Sequence, residues 1–314
     1  MIEAEQLTKC FDDFTAVNGI SFRVHPGEVM ALLGPNGAGK TTTVRMLTSI
    51  LRPTRGTARV AGFDVVEQAE QVRAVVGVLT EHHGLYARMN AEDYLVFFGQ
   101  LYGLDERTAR QRIFPLLERF GLATARRQRL GEYSKGMRQK LALVRALIHE
   151  PPVLLLDEPT SAMDPESART VRDAIHTLKS HDRTIILCTH NLAEAEELAD
   201  QIAIIQRGKI IFYDSPRNLK QQLLGPVEYE AKLADQLNGW LPQLPAGVEL
   251  TQKSEASLRF RVDQPELANP AILRQLHAHD IAVIAFQEVP RSLEQAYLQA
   301  VGRSEDEASH DEAA

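Results

Sequence analysis

The chain has 314 residues, long enough for two domains with sizeable cores, and a formal net charge of −7, which argues against broad nucleic-acid binding. Its two cysteines, Cys10 and Cys188, give no disulfide framework and suit the cytosol. No run approaches the roughly 18 apolar residues that span a bilayer, and Met1-Ile2-Glu3-Ala4-Glu5 lacks the charged and apolar regions of a signal peptide.

Residues 1 to about 80 read as antiparallel strands beside one buried strand, with Leu7, Val17, Ile20, Phe22, Val24, Val60 and Val65 as apolar positions. The apolar run Val29 to Leu33 is a buried strand, and Thr41 to Leu47 is a helix. Between them Gly34-Pro35-Asn36-Gly37-Ala38-Gly39-Lys40-Thr41, followed by Thr42, fits the phosphate-cradling pattern G-x-x-x-x-G-K-[ST]. Glycines let backbone N–H groups turn inward around phosphate oxygens, and the helix N-terminus faces the same anions. Lys40 then reaches the β- and γ-phosphates of a nucleoside triphosphate, and the Thr41 hydroxyl binds Mg²⁺.

A strand from Val75 to Leu79 leads to Glu81, and about 81–150 reads helical, as in Tyr94 to Phe98 and Ile113 to Phe120. The cluster Arg126-Arg127-Gln128-Arg129 reads as a solvated face. Tyr133-Ser134-Lys135-Gly136-Met137 opens a helix from Met137 to Ile148, and a helix N-terminus is a natural anion site. From 151 to about 215 strand and helix alternate, which suits a mostly parallel sheet. Val153 to Leu156 is a strand ending in Asp157 and Glu158. Asp157 should hold Mg²⁺, and Glu158 should orient or polarise the attacking water. His190, after the strand Thr184 to Leu187, could contact the γ-phosphate from the far side. Ile202 to Ile205 and Lys209 to Tyr213 flank a Gly208 turn as late strands.

Past Leu219 the chemistry-bearing patterns stop. Val227 to Leu233 is a strand, Ala234 to Leu244 a helix, Val248 to Gln252 and Leu258 to Val262 two strands, Glu266 to His279 a helix and Ile281 to Val289 a strand. That β-α-β-β-α-β order predicts a small ferredoxin-like domain over 226–301. A final helix carries Leu293, Ala296, Tyr297 and Val301, and residues 302–314 read as an acidic, disordered tail.

From about Ile2 to about Leu219 the chain resembles the nucleotide-binding subunits of ABC transporters. The resemblance implies an α/β fold, a P-loop NTPase of ABC type: a mostly parallel sheet core, an antiparallel β subdomain and a helical insertion over about 81–150, here followed by a small C-terminal α+β domain. It places Phe11 where the family stacks an aromatic on adenine, His190 at the switch histidine and Ser161-Ala162-Met163-Asp164 at the D-loop. Tyr133 to Met137 occupies the place of the Leu-Ser-Gly-Gly-Gln signature. Ser134 and Gly136 are kept, whereas Tyr133, Lys135 and Met137 depart from it. Glu81 stands where most of the family has Gln, and beside Mg²⁺ its carboxylate would gain a charge partner. In this family the signature caps ATP held by the opposite subunit, which implies a homodimer or a close homologue. The segment Ser292 to Leu298, the signature variant and Glu81 resemble the type-2 exporter class. Such a subunit works at the cytoplasmic face of the cell membrane with a separate transmembrane permease, and no nucleic-acid partner is expected. A soluble ABC ATPase without transport, or a regulatory module with a ligand-sensing C-terminal domain, are the alternatives.

Overall fold

The structure, a computed structural model, describes the chain except for residues 81–83, 162, 180–182, 235, 236, 238, 239 and 312–314. Two compact units result, one built on Met1–Pro216 and one on Arg217–Arg303.

The first unit begins with β1 (Ile2–Phe11), β2 (Phe14–Val24), β3 (Val29–Leu33), α1 (Lys40–Leu47), β4 (Arg55–Val60) and β5 (Phe63–Asp64). It continues through α2 (Ala69–Val75), β6 (Val76–Leu79), α3 (Ala91–Leu101), α4 (Glu106–Arg119), α5 (Lys135–Leu147) and β7 (Val153–Asp157). It ends with α6 (Pro165–Lys179), β8 (Thr184–Thr189), α7 (Leu192–Leu198), β9 (Gln201–Gln206) and β10 (Lys209–Asp214). An antiparallel sheet has the order β2-β1-β4-β5, and the larger sheet runs β10-β9-β3-β8-β7-β6. In the latter every neighbouring pair is parallel except β9 and β10.

Every residue of β3, β7 and β8 is buried, as expected of a parallel sheet covered on both faces. The pleat sends successive side chains to opposite sides. Leu154, Leu156, Ile185 and Leu187 therefore join a core with the helical insertion, including Leu95, Leu117, Phe120 and Leu141. Val153, Leu155, Ile186 and Cys188 join another with α1 and the antiparallel sheet, including Val44, Leu47, Val17 and Ile20. The insertion's helices start at side-chain caps: Asn90 accepts from the Asp93 N–H, and Asp105 from the Thr108 N–H. The short helix α2, which ends where β6 begins, was not legible in the residue pattern.

The second unit holds most of α8 (Pro216–Leu224), then β11 (Val227–Leu233), β12 (Val248–Lys253), β13 (Ser257–Val262), α9 (Pro265–Ala278), β14 (Val283–Glu288) and the start of α10 (Leu293–Asp311). Its antiparallel sheet has the order β12-β13-β11-β14, the arrangement of a ferredoxin-like sheet. Leu258, Phe260 and Val262 alternate on β13 and pack with Ile272 and Leu276 of α9. The helix expected over Ala234 to Leu244 is a correction. Ala234, Leu237 and Trp240 to Leu244 are irregular among the described residues. Pro242 and Pro245 remove donors and push the residues before them out of the helical region. The backbone of α10 also continues to Asp311, through part of the segment read as a disordered tail.

Candidate functional site

The phosphate loop joins the end of β3 to the start of α1. Gly37 and Gly39 adopt φ of 81° and 112°, in the left-handed half of the map that side chains disfavour. A Cβ on Gly39 would lie 2.6 Å from the Ala16 carbonyl oxygen, and one on Gly34 would lie 2.3 Å from that of Ile205. Only glycine fits at either position. The Lys40 side chain is 6% exposed, and its Nζ donates to the carbonyl oxygens of Gly34 at 2.5 Å and Pro35 at 3.1 Å. Thr41 Oγ1 donates to Asp157 Oδ2 at 3.1 Å.

These groups border a cleft of about 230 Å³. Pro35, Asn36, Gly37, Gly39, Lys40, Thr41, Thr42, Asp157 and Glu158 line it, together with Ala16 and Phe14. The donor set fits a triphosphate and Mg²⁺: a glycine cradle no Cβ could share, a buried ammonium, and a hydroxyl already against a carboxylate. A larger cavity of about 520 Å³ lies between α4 and the C-terminal ends of α5 and α6. There Arg112 pairs with Glu150, and Arg183 donates to the Pro151 carbonyl, so those cations are already engaged away from the phosphate loop.

Glu158 and His190 meet at the rim of the cleft. Glu158 Oε1 lies 2.7 Å from His190 Nδ1 and accepts from the His190 backbone N–H at 3.1 Å. Glu158 itself adopts φ of 52°. Its N–H donates to the Cys188 carbonyl at 2.8 Å. Burial pushes the Cys188 thiol well above its ordinary pKa, with the Asp157 charge adding to that effect.

Other sequence-predicted residues fall elsewhere. Ser134 caps α5, accepting from the Met137 N–H at 3.2 Å; neither it nor Lys135, Gly136 or Met137 lines the phosphate cleft. Tyr133, standing where the family signature has Leu, is a core residue. Its hydroxyl donates to the Ala125 carbonyl at 2.9 Å, and burial pushes its pKa up to about 12. Asp164 caps α6 by accepting from the Ser167 N–H at 2.9 Å. That bond, with the Ser167 side chain, holds its carboxyl below the usual range. Phe11 ends β1 outside the cleft lining, with the Lys9 ammonium 5.1 Å from its ring centre. Glu81 and Ala162 lie outside the described residues.

Three residues escaped the sequence reading. Phe14, 63% exposed, lines the phosphate cleft. Gln139 and Glu194 are polar and buried beside the Glu158 turn. Burial raises the Glu194 carboxyl; the Thr160 and Thr189 hydroxyls and Arg172 pull it down, and the Glu158 charge adds to the rise. No spacing or composition in the sequence marked them out.

Comparison with known proteins fixes the family. A family model described as "ABC transporter" matches residues 17–161. A second, "ATP-binding protein DrrA1-3-like, C-terminal domain", matches residues 215–301. The daunorubicin/doxorubicin resistance ATP-binding protein DrrA of Streptomyces peucetius is 35% identical over 318 residues, covering 100% of this chain and 96% of its own. This chain belongs to the ABC transporter ATP-binding family. The Nod factor export ATP-binding protein I of Burkholderia pseudomallei (strain 1710b) is 36% identical over 307 residues, 96% of this chain and 97% of that protein. A solved "ATP binding subunit of ABC transporter" superposes with a TM-score of 0.67 at 29% identity, covering 72% of this chain and 94% of that one. As an ABC ATPase the chain binds ATP and hydrolyses it to drive transport. The mostly parallel sheet, antiparallel sheet and helical insertion are those of an ABC cassette.

Proposed function

We propose that this ABC ATPase powers export through a separate permease, and that the Glu158–His190 pair beside the phosphate loop is its hydrolytic centre. The 2.7 Å contact between them, at the edge of a cleft built by the glycine loop, Lys40 and Asp157, carries the reading. Names of relatives similar over nearly the whole chain, drug resistance and Nod factor export, support export. Among the described residues no helix is long and apolar enough to cross a membrane, which fits a pore formed by other chains at whose cytoplasmic face this subunit sits.

The loop N–H groups and Lys40 would hold the β- and γ-phosphates, with Thr41 and Asp157 the ligands for Mg²⁺ and Glu81 a further candidate. Mg²⁺ supplies charge neutralisation on the phosphate oxygens when bound. Glu158 takes the proton of the attacking water or orients it, and His190 holds the Glu158 carboxylate in place. Phe14, and Phe11 beyond it on the same hairpin, offer aromatic faces for adenine. Ser134, Lys135, Gly136 and Met137 sit away from this chain's own phosphate cleft and would cap the nucleotide of a second subunit, with Asp164 at the same seam. On the insertion, Tyr86 and Phe97 are exposed with their rings 6.1 Å apart, and they are the proposed docking face for the permease.

Glu158→Gln tests the centre. The amide keeps the shape but loses the base, so turnover should fall about 10²–10⁴-fold, while ATP binding persists and an ATP-bound dimer accumulates on size-exclusion chromatography. Wild-type hydrolysis with a monomer at all concentrations would remove Glu158 from its role.

A further inference from the structure

The turn that carries Glu158 is held from two helices. A positive φ is uncommon for a residue with a Cβ and persists where the surroundings over-determine it. From α5, Gln139 is only 4% exposed, and its Nε2 donates to the carbonyl oxygens of Glu158 at 2.9 Å and Pro159 at 3.1 Å. From α7, Glu194 is only 2% exposed, and its Oε1 accepts from Thr160 Oγ1 at 2.7 Å. The Ser161 N–H closes the turn on the Glu158 carbonyl at 3.2 Å.

We propose that Gln139 and Glu194 are positioning residues for ATP hydrolysis, clamping Glu158-Pro159-Thr160 from opposite helices so that the Glu158 carboxylate faces the phosphate loop. The inference rests on the reading of Glu158 given above. Gln139 belongs to the helix that Ser134 caps. Glu194 belongs to the helix that follows His190 and that Asn191 caps. A shift of α5 therefore reaches the Glu158 backbone directly through Gln139, and a shift of α7 reaches the same turn through Thr160. Neither clamp residue lines the phosphate cleft, so the arrangement separates nucleotide binding from turnover. Burial favours the neutral carboxyl of Glu194, and Oε1 needs only to accept from Thr160, so an amide is a fair replacement for it.

The test uses the full chain. Steady-state Mg-ATP hydrolysis and binding of a fluorescent ATP analogue are measured for Gln139→Ala, Thr160→Val, Glu194→Ala, the double Thr160→Val/Glu194→Ala, Glu194→Gln and Glu158→Gln. Thr160→Val removes a hydroxyl at nearly constant volume, so it keeps the fold while cutting one clamp. Gln139→Ala, Thr160→Val and Glu194→Ala should each lower kcat about tenfold or more, since small misplacements of a reacting group are costly. Nucleotide affinity should stay within about threefold. The double variant should be no slower than its slower parent, because both changes cut one contact. Glu194→Gln, which keeps the acceptor, should restore kcat to within about threefold of wild type. Wild-type turnover in the single variants, losses that multiply in the double, or affinity falling in step with kcat would each overturn the clamp. If Glu158→Gln hydrolyses at the wild-type rate, the Glu158 reading fails; if it is inactive while the clamp variants run normally, only the clamp fails.

Discussion

The two units stabilise their sheets in opposite ways. In the first, β3, β7 and β8 are buried along their whole length, and charge enters only at a strand's C-terminal end, where Asp157 closes β7 and Glu158 follows it. In the second, β13 alternates: Leu258, Phe260 and Val262 face α9, while Arg259 and Arg261 make cross-strand ion pairs with Glu230 at 3.2 Å, Glu228 at 3.2 Å and Glu249 at 3.1 Å. A parallel sheet covered on both faces leaves only its strand ends for chemistry, and ligands bind there. A half-covered antiparallel sheet spends its second face on charge ladders, each partly exposed pair worth little. The family match over residues 17–161 falls in the first unit, and the division proposed here puts the ATP chemistry there and none of it in the second.

The hardest test of that division is Lys40→Ala. The buried ammonium is the loop's cation, so its loss should lower hydrolysis by at least about 10²–10³-fold, the scale for removing one group that stabilises developing charge. Binding of labelled ATP and phosphate release are the measurements. The second unit should not notice: the fluorescence of Trp240, the protein's one tryptophan, should unfold at an unchanged urea midpoint. Normal turnover in this variant would break the phosphate-loop assignment.

The reciprocal change is Phe260→Ala. Phe260 is fully buried against Ile272 and Leu276, and truncating such a ring costs about 3–5 kcal/mol. Trp240 packs on the same core, so its fluorescence should report unfolding at markedly lower urea, while Mg-ATP affinity stays unchanged. A chain ending near Leu219 should likewise keep that affinity. Loss of ATP binding in either case would make the second unit part of the nucleotide site and dissolve the comparison.

Much of this division was legible in residue order because it depends on local geometry. An apolar strand, a glycine loop with Lys40 and Thr41, and a helix leave few other ways to fold, and β3 runs over Val29–Leu33 as read. Strand alternation similarly gave β11 over Val227–Leu233. The rest depends on tertiary neighbours. Gln139 and Glu194 look like ordinary polar positions on amphipathic helices until the Glu158 turn is packed against them. Phe14 carries no spacing signal, being one exposed aromatic of a hairpin. The run Asp164-Pro165-Glu166 could have been read as a helix start, a capping carboxylate followed by proline, and α6 does begin at Pro165. The absent helix over Ala234 to Leu244 shows the reverse error, where apolar spacing outweighed two prolines.

The smallest effect separates the units by pH. His149 follows α5 in the first unit, its ring stacked on Tyr102 with centroids 3.7 Å apart and planes 3° from parallel. Burial lowers its pKa from 6.5 to about 4, the Val76 backbone opposing and the Arg112 charge reinforcing that shift. The folded state therefore resists a proton that the unfolded chain accepts. Stability must fall as pH drops from about 6.5 to about 4 and level off below, where both states are protonated. For a partly exposed ring the loss is about 1–2 kcal/mol after solvent screening. His149→Phe keeps a ring on Tyr102 and removes the titration. The urea concentration at which ATP binding is lost should therefore decline less between pH 7 and pH 5 in the variant than in the wild type. Trp240 fluorescence should show no difference between the two proteins over the same range, since His149 belongs to the first unit. Equal declines in ATP binding would mean that His149 takes up its proton without cost, and that the acid sensitivity of the first unit lies elsewhere.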